Sequence, residues 1–236
     1  MSWTTAVRNE ISHERDVLAS YLPWWRSDSA WSTLPGDLVG RVLRSGRPWE
    51  GWLSDYIRVY SSAERTSIDV GANVGVHTRT MAKYSFETVA LEPQAAAYDR
   101  LISNVTDLPN VRALQLAASS RRGAAAIRYA LSNRGASQLV WGDGDEHVST
   151  IRLDDLVFTR PVGLIKIDVE GHEREVLEGA CGVIALDRPT ILLEDTTKTR
   201  DMLNDFGYTV TRISWRDFLC LPREAVTADT RRRKNA

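Results

Sequence analysis

The sequence predicts an α/β fold of the doubly wound type, a mostly parallel sheet with helices on both faces. Three observations carry the prediction. In the unit from Ser67 to Pro93, the apolar run Ile68–Val70 ends in Gly71 and a helix opens between Val74 and Thr78. A second apolar run, Val89 to Leu91, then ends in Glu92. From Thr66 onward strand and helix patterns alternate. The closing pair Tyr208–Ile213 and Phe218–Leu221 reads as a hairpin that sets the last strand antiparallel, for seven strands in all.

The glycine-rich turn constrains its ligand. Gly71 and Gly75 let the backbone turn sharply and approach a bound molecule, while the following helix aims its free N–H groups and positive end into the turn. Glu92 stands where an acid accepts both hydroxyls of a ribose. A dinucleotide site wants G-x-G-x-x-G, yet the spacing is Asp69-x-Gly71-x-x-x-Gly75, and Asp69 would face a doubly negative pyrophosphate. S-adenosylmethionine (SAM) has no phosphate. Its sulfonium and α-ammonium suit a strand-end carboxylate, and its carboxylate suits the helix N-terminus. The pattern favours SAM over a nicotinamide cofactor.

At 236 residues the chain has room for one domain with an extension, and a net charge of −1 provides no general basic field for nucleic acid or anionic lipid. Cys181 and Cys220 have no metal-binding spacing or disulfide framework and read as thiols of a reducing compartment. The opening residues lack the apolar core of a signal peptide, and no apolar run approaches a membrane span. The expected location is the cytoplasm.

Residues 1–65 form a tryptophan-rich helical extension in this reading. Trp3, Val7, Ile11 and Leu18 recur at helical spacing, and Pro23, Trp24, Trp25 and Trp31 follow in an irregular segment. A second helix opens at Pro35 and carries Leu38, Val39, Val42 and Leu43; a third runs from Pro48 through Trp52, Tyr56 and Ile57. The tryptophans suit a lid, an interface (a homodimer among the options) or an added layer on the sheet. Residues 66–225 make the main domain, and 226–236 a frayed basic tail.

Within the main domain, residues 94–104 read as helix and Val111–Leu116 as the third strand. Gly123–Val140, with Asn133-Arg134-Gly135 at its turn, is an inserted hairpin. Trp141–Glu146 is a solvated polar turn, 148–153 is extended, and Leu153–Leu156 starts a short helix. Gly163–Asp168 is the fourth strand, Gly171–Ala180 a helix, Thr190–Glu194 the fifth strand and Thr197–Phe206 a helix.

In such a sheet ligands bind beyond the carboxyl ends of the strands. Those ends carry Asp69, Glu92, Asp168 with Glu170 and His172, and Glu194 with Asp195, and so many charges at one edge need partners. The runs Ile-Asp-Val-Gly-Ala-Asn-Val-Gly-Val-His-Thr (68–78), Leu-Glu-Pro (91–93), Ile-Arg-Leu-Asp-Asp-Leu (151–156), Leu-Ile-Lys-Ile-Asp-Val-Glu-Gly-His-Glu (164–173), Val-Leu-Glu-Gly-Ala (176–180) and Pro-Thr-Ile-Leu-Leu-Glu (189–194) resemble the FkbM family. These are SAM-dependent methyltransferases acting mostly on oxygen. The likeness runs in order from about Thr66 to Phe218 and implies a Rossmann-like class I methyltransferase fold.

The resemblance implies a SAM turn of Asp69, Gly71, Asn73, Gly75 and Thr78, with Glu92 and Pro93 at the ribose. Ala117, Ala118 and Ser119 would pack the adenine. It places Asp168 and Glu170 close to the methyl group. For Lys166, on the same strand face as Asp168, a structural ion pair and a direct role both stand. Methyl transfer needs an oxygen aligned with the S–CH₃ bond and relieved of its proton. His172 is the candidate base, with a helix-surface position as its alternative. Asp168, Glu194 and Asp195 could instead hold Mg²⁺, by similarity to the macrocin and catechol O-methyltransferases. Asp168 and Glu170 acting as plain hydrogen-bond acceptors is the metal-free alternative.

The expected function is SAM-dependent O-methylation of a small molecule, glycan or natural product, without nucleic acid or membrane as partner. An RNA methyltransferase lacks support in a basic face, an RNA module or an Asn/Asp-Pro-Pro-Tyr/Phe motif. An NAD-dependent oxidoreductase is disfavoured by the glycine spacing and Asp69, and a non-catalytic SAM-binding module is the remaining alternative.

Overall fold

The structure is a computed structural model that describes residues 31–34, 37–129, 137–194 and 199–226. The Trp3–Leu18 helix, Pro35, the turn at Asn133-Arg134-Gly135, Asp195 and the basic tail lie outside the described residues. Seven strands form one sheet in the order β10-β11-β9-β8-β1-β2-β3. They are β1 (Thr66–Val70), β2 (Glu87–Leu91), β3 (Val111–Leu114), β8 (Val162–Ile167), β9 (Thr190–Glu194), β10 (Tyr208–Arg212) and β11 (Asp217–Pro222). Strand β11 runs antiparallel to both neighbours and the other pairs are parallel, so the expected architecture is observed. This is the Rossmann-like fold of class I methyltransferases.

Side-chain alternation decides what each face buries. On β8, Ile165 and Ile167 join Ile68, Val70, Val89 and Leu91 in a core covered by Val176, Leu177 and Ile184. These last come from helices α5 (Glu173–Glu178) and α6 (Cys181–Asp187). The intervening Leu164 faces the opposite layer, where Leu53, Tyr56 and Ile57 of α2 (Gly51–Tyr60) meet Met81 of α3 (Val76–Tyr84). Lys166 follows Leu164 on that face, opposite Asp69 in register. The remaining helices are α1 (Leu38–Arg44), α4 (Ala95–Val105) and α7 (Arg200–Asp205).

Several boundaries differ from the sequence reading for local reasons. Helix α1 starts at Leu38 because the Asp37 carboxylate accepts the Val39 and Gly40 N–H groups. Helix α2 starts at Gly51, after Glu50 in a left-handed conformation, so Pro48 and Trp49 precede it. The helix expected over Gly171–Ala180 spans Glu173–Glu178 and ends at Gly179, which passes so close to Ser119 that a Cβ would stand 2.0 Å from its carbonyl oxygen; a further helix, Cys181–Asp187, follows where none was expected. Leu153–Asp155 makes a single 3₁₀ turn.

The inserted hairpin is part of a second, four-stranded sheet, β4-β7-β5-β6. Ala117–Ala118 is β4, Gly123–Arg128 is β5, Gln138–Val140 is β6 and Glu146–Ile151 is β7. The third strand therefore stops at Leu114, and residues 117–118 leave the main sheet to pair with β7. Because Ile57 is fully buried against the sheet, α2 belongs to the same core as the strands that follow residue 65. Cys220 is buried and Cys181 half-buried, and both are free thiols. No helix among the described residues is long and apolar enough to cross a membrane.

Gly71 couples the fold to the site. Its φ is +75°, and an added Cβ would stand 1.9 Å from the Asp168 carbonyl oxygen. Gly71→Ala is expected to cost at least ~2 kcal/mol of stability, left-handed strain and backbone collision combined. A urea midpoint equal to that of the parent chain would contradict this.

Candidate functional site

A cavity of about 440 Å³ opens along the carboxyl edge of the main sheet. Gly71, Ala72 and Asn73 form one wall, Glu92 and Pro93 the next, and Leu116, Ala117 and Ala118 the far end. Lys166, Asp168, Glu170, His172 and Glu194 line the other side. Every described site residue predicted from the sequence lines this cavity except Asp69, Gly75, Thr78 and Ser119. Ser119 is buried against His172, and Asp69, Gly75 and Thr78 belong to the glycine turn and its flanks. Asp195 lies outside the described residues.

Those three residues shape the turn. Asp69 is fully buried; one oxygen accepts from Thr78 Oγ1 at 2.7 Å and the other from Lys166 Nζ at 3.2 Å. Both oxygens thus have intramolecular partners, and Asp69 organises the site without facing the cavity. Gly75, at φ +89°, precedes α3 and abuts Leu101, whose Cδ1 would lie 2.7 Å from an added Cβ. Asn73 is also left-handed, at φ +48°, and its buried Oδ1 has no hydrogen-bond partner.

Glu92 is held from behind. Its Oε2 accepts the Asn73 N–H at 2.8 Å and its Oε1 accepts the Gln94 N–H at 2.9 Å. Burial nevertheless pushes its carboxyl up to about 7, against the pull of those two donors. Each oxygen keeps a lone pair for a further donor.

Lys166 is the cationic centre of the site. Its Nζ lies 3.2 Å from Asp69, 3.5 Å from Asp168 and 3.3 Å from the Gly71 carbonyl. Burial opposes its charge, but Asp69 and Asp168 together hold it protonated, above the ordinary lysine range. Of the two roles considered for Lys166, the ion pair is the one the geometry displays.

The expected clash of carboxylates at strand ends four and five is relieved by the protein itself. Asp168 and Glu194 share a hydrogen bond. Burial, that bond and the Asp168 charge push Glu194 up to about 10, so it carries the shared proton. Burial also opposes the Asp168 charge, yet Lys166 and the bond to Glu194 bring its carboxyl below the usual range. Arg216, from the β10–β11 turn, reaches Glu194 at 2.9 Å and Glu170 at 3.7 Å. Glu170 sits in a left-handed turn at φ +52°, and burial with the Asp168 charge raises its carboxyl. One oxygen each of Asp168, Glu170 and Glu194 fall within 4.8 Å of one another, a separation a divalent cation could bridge. With Lys166, Arg216 and a shared proton present, the charge balance does not require one.

His172 caps α5 rather than lying on its surface. Its Nε2 is 2.9 Å from Ser119 Oγ and its Nδ1 3.6 Å from Glu175, and burial lowers its basicity. Nε2 thus has a close partner in Ser119, while Nδ1 stands beyond hydrogen-bond distance of Glu175.

Other cavity residues were not singled out from the sequence. His77 Nε2 pairs with Glu50 Oε2 at 3.0 Å, and Trp49, Trp215, Arg216 and Asp217 contribute from the extension and the β10–β11 turn. His77 lies inside the glycine-turn run and was findable there. Glu50, Trp215 and Arg216 carry no motif and enter the site through tertiary packing alone.

A doubly wound sheet with a glycine turn, a ribose-height acid and an acidic carboxyl edge is the layout of a class I methyltransferase. The family model "Methyltransferase FkbM domain" matches residues 69–214, and the chain belongs to the FkbM methyltransferase family. Hexuronic acid methyltransferase AglP of Haloferax volcanii is 33% identical over 115 residues, 47% of this chain and 48% of that protein. The match thus spans about half the length of that curated relative. The solved structure of Methyltransferase FkbM from Methylobacillus flagellatus KT has a TM-score of 0.50 at 17% identity. It covers 68% of this chain and 44% of that one, and shares the fold. Precorrin-6y C5,15-methyltransferase from Geobacter metallireducens GS-15 gives 0.46 at 13% identity, over 81% of this chain and 94% of that one.

Lys166→Met should leave the Asp69 charge buried and unpaired, at a cost of ~3–5 kcal/mol. Adding Asp69→Asn should recover much of that loss. Equilibrium denaturation of the two variants at neutral pH measures both; equal stability of single variant and parent would mean Lys166 is not the counter-ion.

Proposed function

We propose that the protein is a SAM-dependent O-methyltransferase whose acceptor is a hydroxyl of a glycan or small molecule. The observation that carries this reading is Glu92, a buried carboxylate clamped by two backbone N–H groups with lone pairs left toward the cavity. A ribose diol supplies the two donors such a group lacks. Gly71 and Asn73 admit the methionyl portion beside the α3 N-terminus, and Leu116, Ala117 and Ala118 offer the apolar slot an adenine needs. The family match and the hexuronic acid relative support methyl transfer, and the latter supports an acceptor of the sugar class. SAM, when bound, supplies the electrophilic methyl group.

The chain's own residues then have three tasks. Asp168, kept ionised by Lys166, accepts a hydrogen bond from the acceptor hydroxyl or the SAM ammonium and fixes its direction. Glu170, with its raised carboxyl and looser hold from Arg216, would take the hydroxyl proton, the methyl group passing from the sulfonium to the oxygen and leaving a neutral thioether. His172 positions the β4 end through Ser119, so Glu170 is favoured over His172 as base. Mg²⁺ at Asp168 and Glu194 is the second reading, resting on the converging carboxylate oxygens.

Glu92→Ala should weaken SAM binding by ~1.5–3 kcal/mol, as expected for hydrogen bonds to a charged group. In the parent chain the ribose hydroxyls favour the ionised carboxylate. Binding below its pKa therefore expels a proton, and affinity should rise with pH and level off above about 7. Calorimetric titration with SAM reads both effects; unchanged affinity in Glu92→Ala removes Glu92 from the site, and absence of SAM binding in the parent chain removes the cofactor.

For the chemical step, Glu170→Gln should lower kcat by roughly 10²–10⁴-fold with SAM affinity retained. His172→Ala should lower it less than tenfold, and EDTA should leave turnover intact. Loss of activity on chelation, restored by Mg²⁺, would favour the metal reading; a larger loss in His172→Ala than in Glu170→Gln would reverse the two assignments.

A further inference from the structure

We infer that Trp215, at the tip of the β10–β11 turn, is the platform on which a pyranose ring of the acceptor stacks. This rests on the methyl-transfer reading above and adds to it a substrate class and the residue that selects it. Of the exposed large apolar side chains, Leu38 and Trp215 line the cavity, and Trp215 leaves 79% of its surface uncovered. A single exposed tryptophan on a convex surface would mean little. This one stands at the mouth of a cavity whose inner walls are already matched to a cofactor.

The turn that carries it is firmly built. Ser214 Oγ accepts the N–H groups of Arg216 at 3.2 Å and Asp217 at 3.0 Å, and its hydroxyl donates to the Asp217 carboxylate. The Ile213 and Ser214 N–H groups both donate to the Asp217 carbonyl, at 2.9 and 3.2 Å. Arg216, the next residue, bonds Glu194 at 2.9 Å and lies 5.4 Å from the Trp215 ring centroid. The turn is therefore tied through Arg216 to Glu194 and, at 3.7 Å, to Glu170, the carboxylate proposed to take the acceptor proton. A fixed turn that carries an aromatic side chain beside the reacting groups suits orientation of a bound ring.

The surroundings decide which ring. A flat aromatic acceptor would stack on tryptophan but offers few partners for a polar rim. A pyranose combines an apolar, slightly positive C–H face, complementary to the negative face of an indole, with a rim of hydroxyls. Here the cavity that Trp215 lines also carries Arg216, Glu170, Glu194 and Asp217, donors and acceptors for that rim. Pyranose recognition by one aromatic face and a few placed polar groups follows the general pattern of small-ligand sites.

The test uses the full chain loaded with S-adenosylhomocysteine and saturation-transfer NMR. The probes are methyl glucopyranoside, its glucuronate counterpart and catechol. Binding of either pyranoside to the parent chain, at least tenfold weaker in Trp215→Ala and largely kept in Trp215→Phe, supports the platform. The stronger of the two pyranosides shows whether a neutral sugar or a uronate is preferred. Catechol binding without either sugar, no pyranoside binding at all, or equal sugar binding in Trp215→Ala would overturn it. S-adenosylhomocysteine affinity, measured by calorimetry on the same samples, should be unchanged by both variants. Absence of that affinity in the parent chain would bring down the cofactor reading and this inference together. Intact affinity with unaffected sugar binding would bring down this inference alone.

Discussion

The buried ammonium of Lys166 is the interaction on which the site depends. It sits on the middle strand of the sheet, 3.2 Å from Asp69 and 3.5 Å from Asp168. Without it, two carboxylates on neighbouring parallel strands would be desolvated with no counter-charge, and at least one would have to protonate. With it, one Asp69 oxygen faces a cation while the other accepts the Thr78 hydroxyl, which joins the first turn of α3 to β1. The same cation also touches the Gly71 carbonyl, so the glycine turn, the helix behind it and the end of β8 share one electrostatic anchor. Such a buried network is weak evidence for stability in itself. Its consequence is positional: it determines where the Asp168 carboxylate stands and that it is charged.

That anchoring propagates outward along the sheet edge. An ionised Asp168 presses its proton demand onto Glu194, which becomes the acid of a shared pair. Glu194 in turn accepts from Arg216, and Arg216 belongs to the turn that bears Trp215. One chain of charge-assisted contacts therefore runs from the strand core to the cavity mouth. Its alternating signs show how Asp168, Glu170 and Glu194 can converge on one cavity without a cation being obligatory. The argument that crowded carboxylates demand a metal considers only the acids at strand ends, whereas Lys166 approaches from within a strand and Arg216 from a hairpin tip.

The parts of this protein legible in the sequence are those with short-range physical causes. Alternating apolar strands, Gly71 and Gly75 at a tight turn, and acids placed where apolar runs stop are local signals, and the main sheet and the cavity floor follow from them. The second sheet was only partly legible. Ala117–Ala118 is too short and too plain to announce that it leaves one sheet for another, and its pairing with β7 bridges more than thirty residues. His172 was misplaced for a related reason. Its spacing from Asp168 suggested a helix, but Glu170 and Gly171 both take positive φ, so the chain turns before the helix begins and the ring swings onto Ser119. Glu50 and Arg216 were invisible because nothing in their neighbourhoods distinguishes a cavity side chain from a surface one.

The extension adds a further layer to this reasoning. Trp52, Tyr56 and Ile57 could have formed a detachable lid, yet Ile57 is fully buried against the sheet and Leu53 packs with Leu164, Leu192 and Leu219. Helix α2 thus helps to form the face on which Lys166 and Asp69 are hidden from water. The residue preceding it, Glu50, holds a left-handed conformation at φ +43° and reaches His77 in the first turn of α3. A strained residue is retained only where the surrounding structure overdetermines it. Here packing of α2 behind the sheet and the hydrogen bond to His77 in front of it supply that determination. Residues 49–60 consequently take part in two roles at once, α2 packing behind the strand face that buries Lys166 and Asp69 while Trp49 and Glu50 complete the cavity wall.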